Sequence, residues 1–236
     1  MTGLEDLPDR IAADPALAEL LAEAQARDAA LAMPDPTHDV AHLLRVARWT
    51  LRLGGDVVDF REAVAAALLH DAVHVPKDSP ERARASELAA AHAAERLAAL
   101  GFTPAAVTRI AGAVRDHSFS RGAVPATALG DALQDADRLE ALGAIGLLRT
   151  ISTGVRMGAD WFHPRDPFAR ARPLEDTRYS MDHFFAKLLG LPATMRTEAG
   201  RAEAARRVGL LRAFLDALAD ELGTLPPDPA TEEPTR

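Results

Sequence analysis

Apolar residues recur along this chain at helical spacing. In the stretch 38–53, Leu43, Leu44, Val46, Ala47 and Leu51 share one face. The same periodicity predicts helices near 15–32, 60–71, 80–100 and 104–117. It then predicts a long apolar helix near 126–153, and two more near 180–189 and 194–222. Polar punctuation agrees with these boundaries. Asp14-Pro15, Ser79-Pro80-Glu81 and Thr103-Pro104 each set a capping side chain before a proline suited to the first helical turn. Gly54-Gly55, Gly101 and Gly190 mark stops. Within the long helix, Gly143 and Gly146 are expected as points of close packing. No internal repeat and no convincing strand interrupts the pattern, so the expected fold class is all-α.

Two stretches break the periodicity. Residues 158–179, "GADWFHPRDPFARARPLEDTRY", carry Pro164, Pro167 and Pro173 among charges and aromatics. An ordered but irregular excursion of this length suggests a lid or binding loop. The tail "TLPPDPATEEPTR" offers almost nothing to bury and is expected to be disordered.

Composition narrows the picture. The chain has 236 residues, a size that suits one domain, and it is poor in aromatics at 5%. Small side chains allow its helices to pack closely. With no cysteine, disulfides and thiolate metal sites are excluded, and a reducing cytoplasm is the natural compartment. The N-terminal stretch lacks the basic-then-apolar order of a signal peptide, and no apolar run approaches the ~20 residues that span a bilayer. The formal net charge of −8 argues against a nucleic-acid strand as ligand. It leaves room for a small phosphorylated ligand held by a metal ion and a few local cations.

The polar residues that do not fit their helices carry the chemistry. "HDVAH" sets His38 and His42 four residues apart on one face of a helix start. "HDAVH" repeats the spacing with His70 and His74 around Asp71, at the end of an apolar run. "LQDADRLEALGAIGLL" places Asp135, Asp137 and Glu140 inside another apolar helix. A buried carboxylate needs a partner, because leaving it alone costs several kcal/mol. A divalent cation satisfies several such groups together. Neutral imidazole with carboxylate suits Mn²⁺, Fe²⁺, Co²⁺, Ni²⁺ or Mg²⁺. Each residue alone has an ordinary explanation: His38 as a helix-start polar group, His70 as a partner for a helix C-terminus, Asp71 as a surface residue, Asp137 as an arginine partner. The set, spread over separate helices, is not so easily explained.

In their order, these residues resemble the H…HD…D signature of the HD-domain superfamily of metal-dependent phosphohydrolases. The likeness extends over "HDVAHLLRV", "LLHDAVHVPKDSPERARAS", "AVRDHSFS", "LQDADRLEALGAIGLLRT", "DPFARARPLEDTRYSMDHFFAKLL" and "RTEAGRAEA". Together these blocks are similar to a bacterial branch of HD hydrolases, the YedJ-like group. The resemblance implies a single all-α domain: an HD helical core over about 35–155, then the lid-like loop and C-terminal helices over about 156–222, then the tail 223–236. It implies one divalent metal ion held by His38, His70, Asp71 and Asp137. Asp137 is preferred over Asp135 because the superfamily's last ligand stands in an Ala-Asp-x-Leu context.

Several members carry an acidic residue three places after the HD aspartate, used in water activation or proton transfer; here His74 stands there. His74 either moves the proton or orients a ligand. His42 is expected behind the ligands or packed under the site. Lys77, Arg82 and Ser86 are candidates for phosphate contact, against the alternative of a solvated helix start. His117 and Ser118 are candidates for substrate contact or catalysis, and His117 also for a second metal. Arg138 is a candidate for substrate binding or for tying the site to neighbouring helices. His92 is expected on a helix surface, and His163 and His183 near the lid. The activity implied is hydrolysis of a phosphoester or phosphoanhydride, with a nucleotide as the expected substrate. Two alternatives stand beside it. One is a two-metal HD enzyme, a cyclic-nucleotide phosphodiesterase or an oxygenase. The other is a nucleotide-binding regulatory protein with a vestigial site.

Overall fold

Ten α-helices make up most of the computed structural model, which describes residues 6–33, 35–73, 84–118 and 121–227. They are α1 (Leu7–Ala13), α2 (Pro15–Ala29), α3 (Val40–Gly54), α4 (Phe60–Leu69), α5 (Ala85–Ala99), α6 (Pro104–Asp116), α7 (Ala128–Glu140), α8 (Gly143–Arg156), α9 (Asp182–Ala186) and α10 (Glu198–Leu222). A 3-10 segment, Leu188–Thr194, joins α9 to α10. Among the described residues the only strand-like pairing is an isolated bridge between Asp160 and Tyr179, so the fold is all-α as expected. No described helix is long and apolar enough to cross a membrane. The expected helix start at Ser79-Pro80, the candidates His74, Lys77 and Arg82, and the tail from Asp228 onward lie outside the described residues.

The helix starts follow their caps. Asp14 accepts from the Ala16 and Leu17 amides at 3.0 and 3.2 Å, with Pro15 in the first turn. Asp39 accepts from His42 N at 2.8 Å, Asp59 from Glu62 N at 3.0 Å, and Thr103 from Ala106 N at 3.3 Å. Each satisfies an amide that has no partner within its helix.

The chain divides into two compact units, residues 1–137 and 138–236, with the division inside α7. In the first, α4 is the central element. Every residue from Ala63 to Leu69 is buried. Such an all-round apolar helix is stable only when surrounded, and α2, α3 and α6 pack against it. α5 packs on α6, and α1 on α2. Leu17, Leu20, Val46, Leu68, Leu97, Ile110 and Leu133 are among the fully covered side chains of this core.

In the second unit, α10 packs against α8 and the 3-10 segment. The irregular stretch 158–179 is held by contacts to α9. Arg172 donates to both oxygens of the buried Asp182 at 2.5 and 2.7 Å, and the Glu175 amide joins them at 2.7 Å. Phe168 is buried and meets Phe185 edge-on, with centroids 6.5 Å apart. The expected long helix over 126–153 is two helices, α7 and α8. After Glu140 the last turn tightens into i−3 bonds from Ala141 and Leu142. Gly143 then takes φ +70°, a left-handed conformation that glycine adopts at no steric cost. Gly146 does serve a close approach, since a Cβ there would lie 2.2 Å from the Ala141 carbonyl carbon.

Candidate metal centre

Four helices of the first unit bring their polar exceptions together. His42 stands in the first turn of α3, His70 just past the end of α4 with Asp71 next to it, His117 just past the end of α6, and Asp137 in the last turn of α7. His42 Nε2 lies 3.3 Å from His70 Nε2, 3.6 Å from Asp71 Oδ2 and 3.8 Å from Asp137 Oδ1. His70 Nε2 lies 3.3 Å from Asp71 Oδ2 and 3.9 Å from Asp137 Oδ1. His117 Nε2 approaches Asp71 Oδ1 at 3.8 Å, and its ring meets that of His70 edge-on at 5.0 Å. The donors form two overlapping triads, His42–His70–Asp137 and His70–Asp71–His117. In each, one donor atom per residue lies within 4.8 Å of the others.

The imidazoles are oriented by backbone. His70 Nδ1–H donates to Ala67 O at 2.7 Å, and His117 Nδ1–H donates to Val114 O at 2.6 Å. A carbonyl can only accept, so the proton sits on Nδ1, and in the neutral ring Nε2 keeps its lone pair. That is the tautomer a metal ligand requires. The spacing also fits. Donors held about 2.1 Å from an octahedral ion lie about 3.0 Å apart when adjacent and about 4.2 Å when opposite. The 3.3–3.9 Å separations among His42, His70, Asp71 and Asp137 fall between these limits.

Electrostatics lean the same way. Burial disfavours a charged His70, yet the Asp71 carboxylate beside it, with Asp137, raises its pKa to about 9. Burial likewise works against the charge on Asp71, but the three histidines hold its carboxyl well below the usual range. Asp137 is also lowered: burial opposes its charge, and His70, His117 and His42 outweigh it. His117 moves the other way, pushed down by burial and by His70. The centre thus holds two carboxylates that demand positive charge. Asp71 and Asp137 remain 33% and 27% exposed, so solvent reaches the carboxylates but not the His42 and His70 rings.

The positions expected from the sequence are partly rearranged. His42, expected behind the ligands, lies inside the cluster, and His38, expected among them, lies outside it. The reason is local. Asp39 caps α3, so the helix begins at Val40 and His38 belongs to the preceding turn. There its side chain is 53% exposed, and its Nδ1 lies 2.9 Å from Thr37 Oγ1 and 3.2 Å from Asp35 Oδ2. Thr37 and His38 hydrogen bonds, set against partial burial, hold Asp35 well below the usual carboxylate range. Asp137 lies in the cluster, whereas the buried Asp135 does not.

Arg138, a candidate for substrate binding, is buried and donates from Nη1 to Thr194 O at 2.5 Å, which commits it to the 3-10 segment. Ser118 follows His117 and is half-buried, and Ser86 occupies the first turn of α5. Neither belongs to the donor triads. His163 accepts at Nδ1 from the Arg165 and Asp166 amides, and His183 pairs with Asp176 at 3.2 Å.

One side chain beside the cluster gave no signal in the sequence. Gln134, one turn before Asp137, is fully buried. Its Nε2 donates to Asp116 O at 2.8 Å and to Ala123 O at 3.0 Å. Both amide protons are then committed, and Oε1 has no partner among the described residues. A buried, unpaired amide oxygen costs about 1–3 kcal/mol.

With this geometry in hand, the comparisons with known proteins agree. Residues 40–142 match the family model described as HD domain. Residues 40–142 are thus similar to an HD domain, and the all-α fold is similar to that of solved HD-superfamily hydrolases. The uncharacterized protein YpgQ of Bacillus subtilis is 28% identical over 190 residues, covering 78% of this chain and 84% of YpgQ. The crystal structure of YpgQ in complex with ADP superposes with a TM-score of 0.66 at 23% identity, over 86% of this chain and 96% of that one. An HD-superfamily hydrolase from Bacillus thuringiensis gives 0.66 at 24% identity, over 93% and 100% of the two chains. A predicted HD superfamily hydrolase from an uncultured Thermotogales bacterium gives 0.60 at 27% identity, over 93% and 99%.

Proposed function

We propose that this chain is a metal-dependent phosphohydrolase that cleaves a phosphoester or phosphoanhydride bond in a nucleotide-like substrate. One observation carries the reading: His42, His70, Asp71, His117 and Asp137 converge from four helices, with His70 and His117 fixed in the ligating tautomer. His42, His70, Asp71 and Asp137 would hold one divalent ion, with His117 in reach of it as a further donor. When bound, such an ion supplies Lewis acidity toward a phosphoryl oxygen and makes water a better nucleophile at neutral pH. The chain's own residues do the rest. The backbone carbonyls of Ala67 and Val114 keep the imidazoles aligned. Lys77 and Arg82, with Ser86 and Ser118, offset or hydrogen-bond the phosphoryl oxygens. His74 moves the proton. The ADP bound by YpgQ supports a nucleotide as substrate class. The blocks beyond the HD domain, "DPFARARPLEDTRYSMDHFFAKLL" and "RTEAGRAEA", support placement in the YedJ-like branch.

The two overlapping triads also suggest a two-metal centre. Both triads need His70, however, and its Nδ1 is committed to Ala67 O, so one nitrogen is left for one ion. Metal analysis of the purified protein decides: one ion per chain is expected, and two would overturn the one-ion reading. For the activity, Mn²⁺-loaded wild type, Asp71→Ala and His70→Ala are assayed against a panel of nucleoside phosphates. Turnover in the wild type and its loss in both variants is expected. Equal turnover in all three refutes the mechanism, and nucleotide binding without any turnover favours a regulatory protein.

A further inference from the structure

Gln134 and Asp137 are three residues apart on α7, so they share a face, one turn apart. The Gln134 amide group spans two carbonyls that do not belong to its own helix. One, Asp116 O, is in the peptide that leads directly into His117. The other, Ala123 O, lies past the turn that follows. The ring of His117 is set from one side by Val114 O, and its backbone is set from the other by Gln134. Both N–H groups face carbonyls, while Oε1 is buried without a described partner. An apolar side chain would fill this place without stranding that oxygen. Gln is the wrong residue for packing alone, and the right one for holding the end of α6 against α7.

We infer that Gln134 is a positioning residue of the metal centre, fixing His117 in register with Asp137 so that donors from both triads can act on one ion. This rests on the metal-site reading proposed above. Outer partners of this kind typically change metal affinity by about 10–100-fold when removed.

The test compares wild type, Gln134→Met, His117→Ala and the double variant. Met keeps the length of the side chain and loses both hydrogen bonds. Each protein is stripped with chelator, its folding is confirmed by urea titration, and its Mn²⁺ affinity is measured by calorimetry. The Co²⁺-loaded forms are compared by visible absorption, which reports the donor arrangement and not stability. Gln134→Met is expected to weaken Mn²⁺ binding about 10-fold or more and to shift the Co²⁺ spectrum toward that of His117→Ala. In the His117→Ala background the same change is expected to add little, because Gln134 acts through His117. Folded Gln134→Met with wild-type affinity and spectrum would overturn the inference, as would a full effect persisting without His117. Gln134→Asn, which keeps an amide but cannot span both carbonyls, is read in the same way should Met fail to fold. A wild type that binds neither Mn²⁺ nor Co²⁺ would overturn the metal-site reading itself, a result distinct from unaltered variants.

Discussion

Removing the ion should expose the charge imbalance of the centre as a pH-dependent loss of stability. In the metal-free protein, His70 is fully buried next to Asp71, and its pKa is raised to about 9. In the unfolded chain it returns to about 6.5. A group with a raised folded pKa stabilises fully below its unfolded pKa, and that contribution disappears as pH rises through the folded value. From these two pKa values the contribution is about 2.5 kcal/mol at pH 7 and about 0.2 kcal/mol at pH 9.5. Few other groups disturb this window. The depressed carboxyls Asp71 and Asp137 are ionised throughout it, and burial with His70 shifts His117 down, away from it. The chain has one tyrosine and only two lysines, Lys77 and Lys187. Urea unfolding of chelator-treated protein at pH 7 and pH 9.5 should therefore show a loss of about 2 kcal/mol. Asp71→Asn removes the strongest cause of the shift and should flatten the difference. A loss below about 1 kcal/mol, or a gain, would refute the charge balance described for the centre.

Three further outcomes are expected. His42→Ala should reduce Mn²⁺ affinity by more than the roughly 10–100-fold typical of an outer partner, whereas His38→Ala should leave it unchanged by calorimetry. Ala66→Leu on α4 inserts a larger side chain where every neighbouring position is buried, and should cost about 1–3 kcal/mol in urea unfolding. Arg172→Ala leaves the Asp182 carboxylate buried without its bidentate partner, and should destabilise by about 3–5 kcal/mol with faster hydrogen exchange over residues 158–181.

Where the helices lie was largely legible, because caps and periodicity coincide. Asp14 and Thr103 each mark the residue before the observed start. The break between α7 and α8 was not, since apolar spacing continues across it while Gly143 turns left-handed. α1 was missed altogether: seven residues with only Leu7 and Ile11 buried carry too few positions to show a period. That His70, Asp71 and Asp137 come together was legible; that His42 and not His38 joins them in the cluster was not. Their four-residue spacing puts His38 and His42 on one face only if both are helical, and the same Asp39 that caps α3 excludes His38. Arg138 was singled out for standing next to Asp137. Consecutive helical residues point about 100° apart, so adjacency in sequence separates them around the helix.

His70 and His117 show why the site forms at helix ends and not within helices. Each is the first residue after its helix, and each returns its Nδ1–H to a carbonyl three residues back. The last carbonyls of a helix have no intrahelical partner, so this bond satisfies a group that would otherwise be orphaned. The same bond fixes the tautomer and turns Nε2 outward. Both helix ends also bring the negative end of a peptide dipole to the cluster, which favours a cation there. One local device, used twice, thus settles the backbone, orients the ligand and biases the field. Asp71 and Asp137 add two formal negative charges beside these imidazoles, a donor set able to hold a divalent ion. An imidazole placed mid-helix would find every nearby carbonyl already used, and its orientation would have to come from some other side chain.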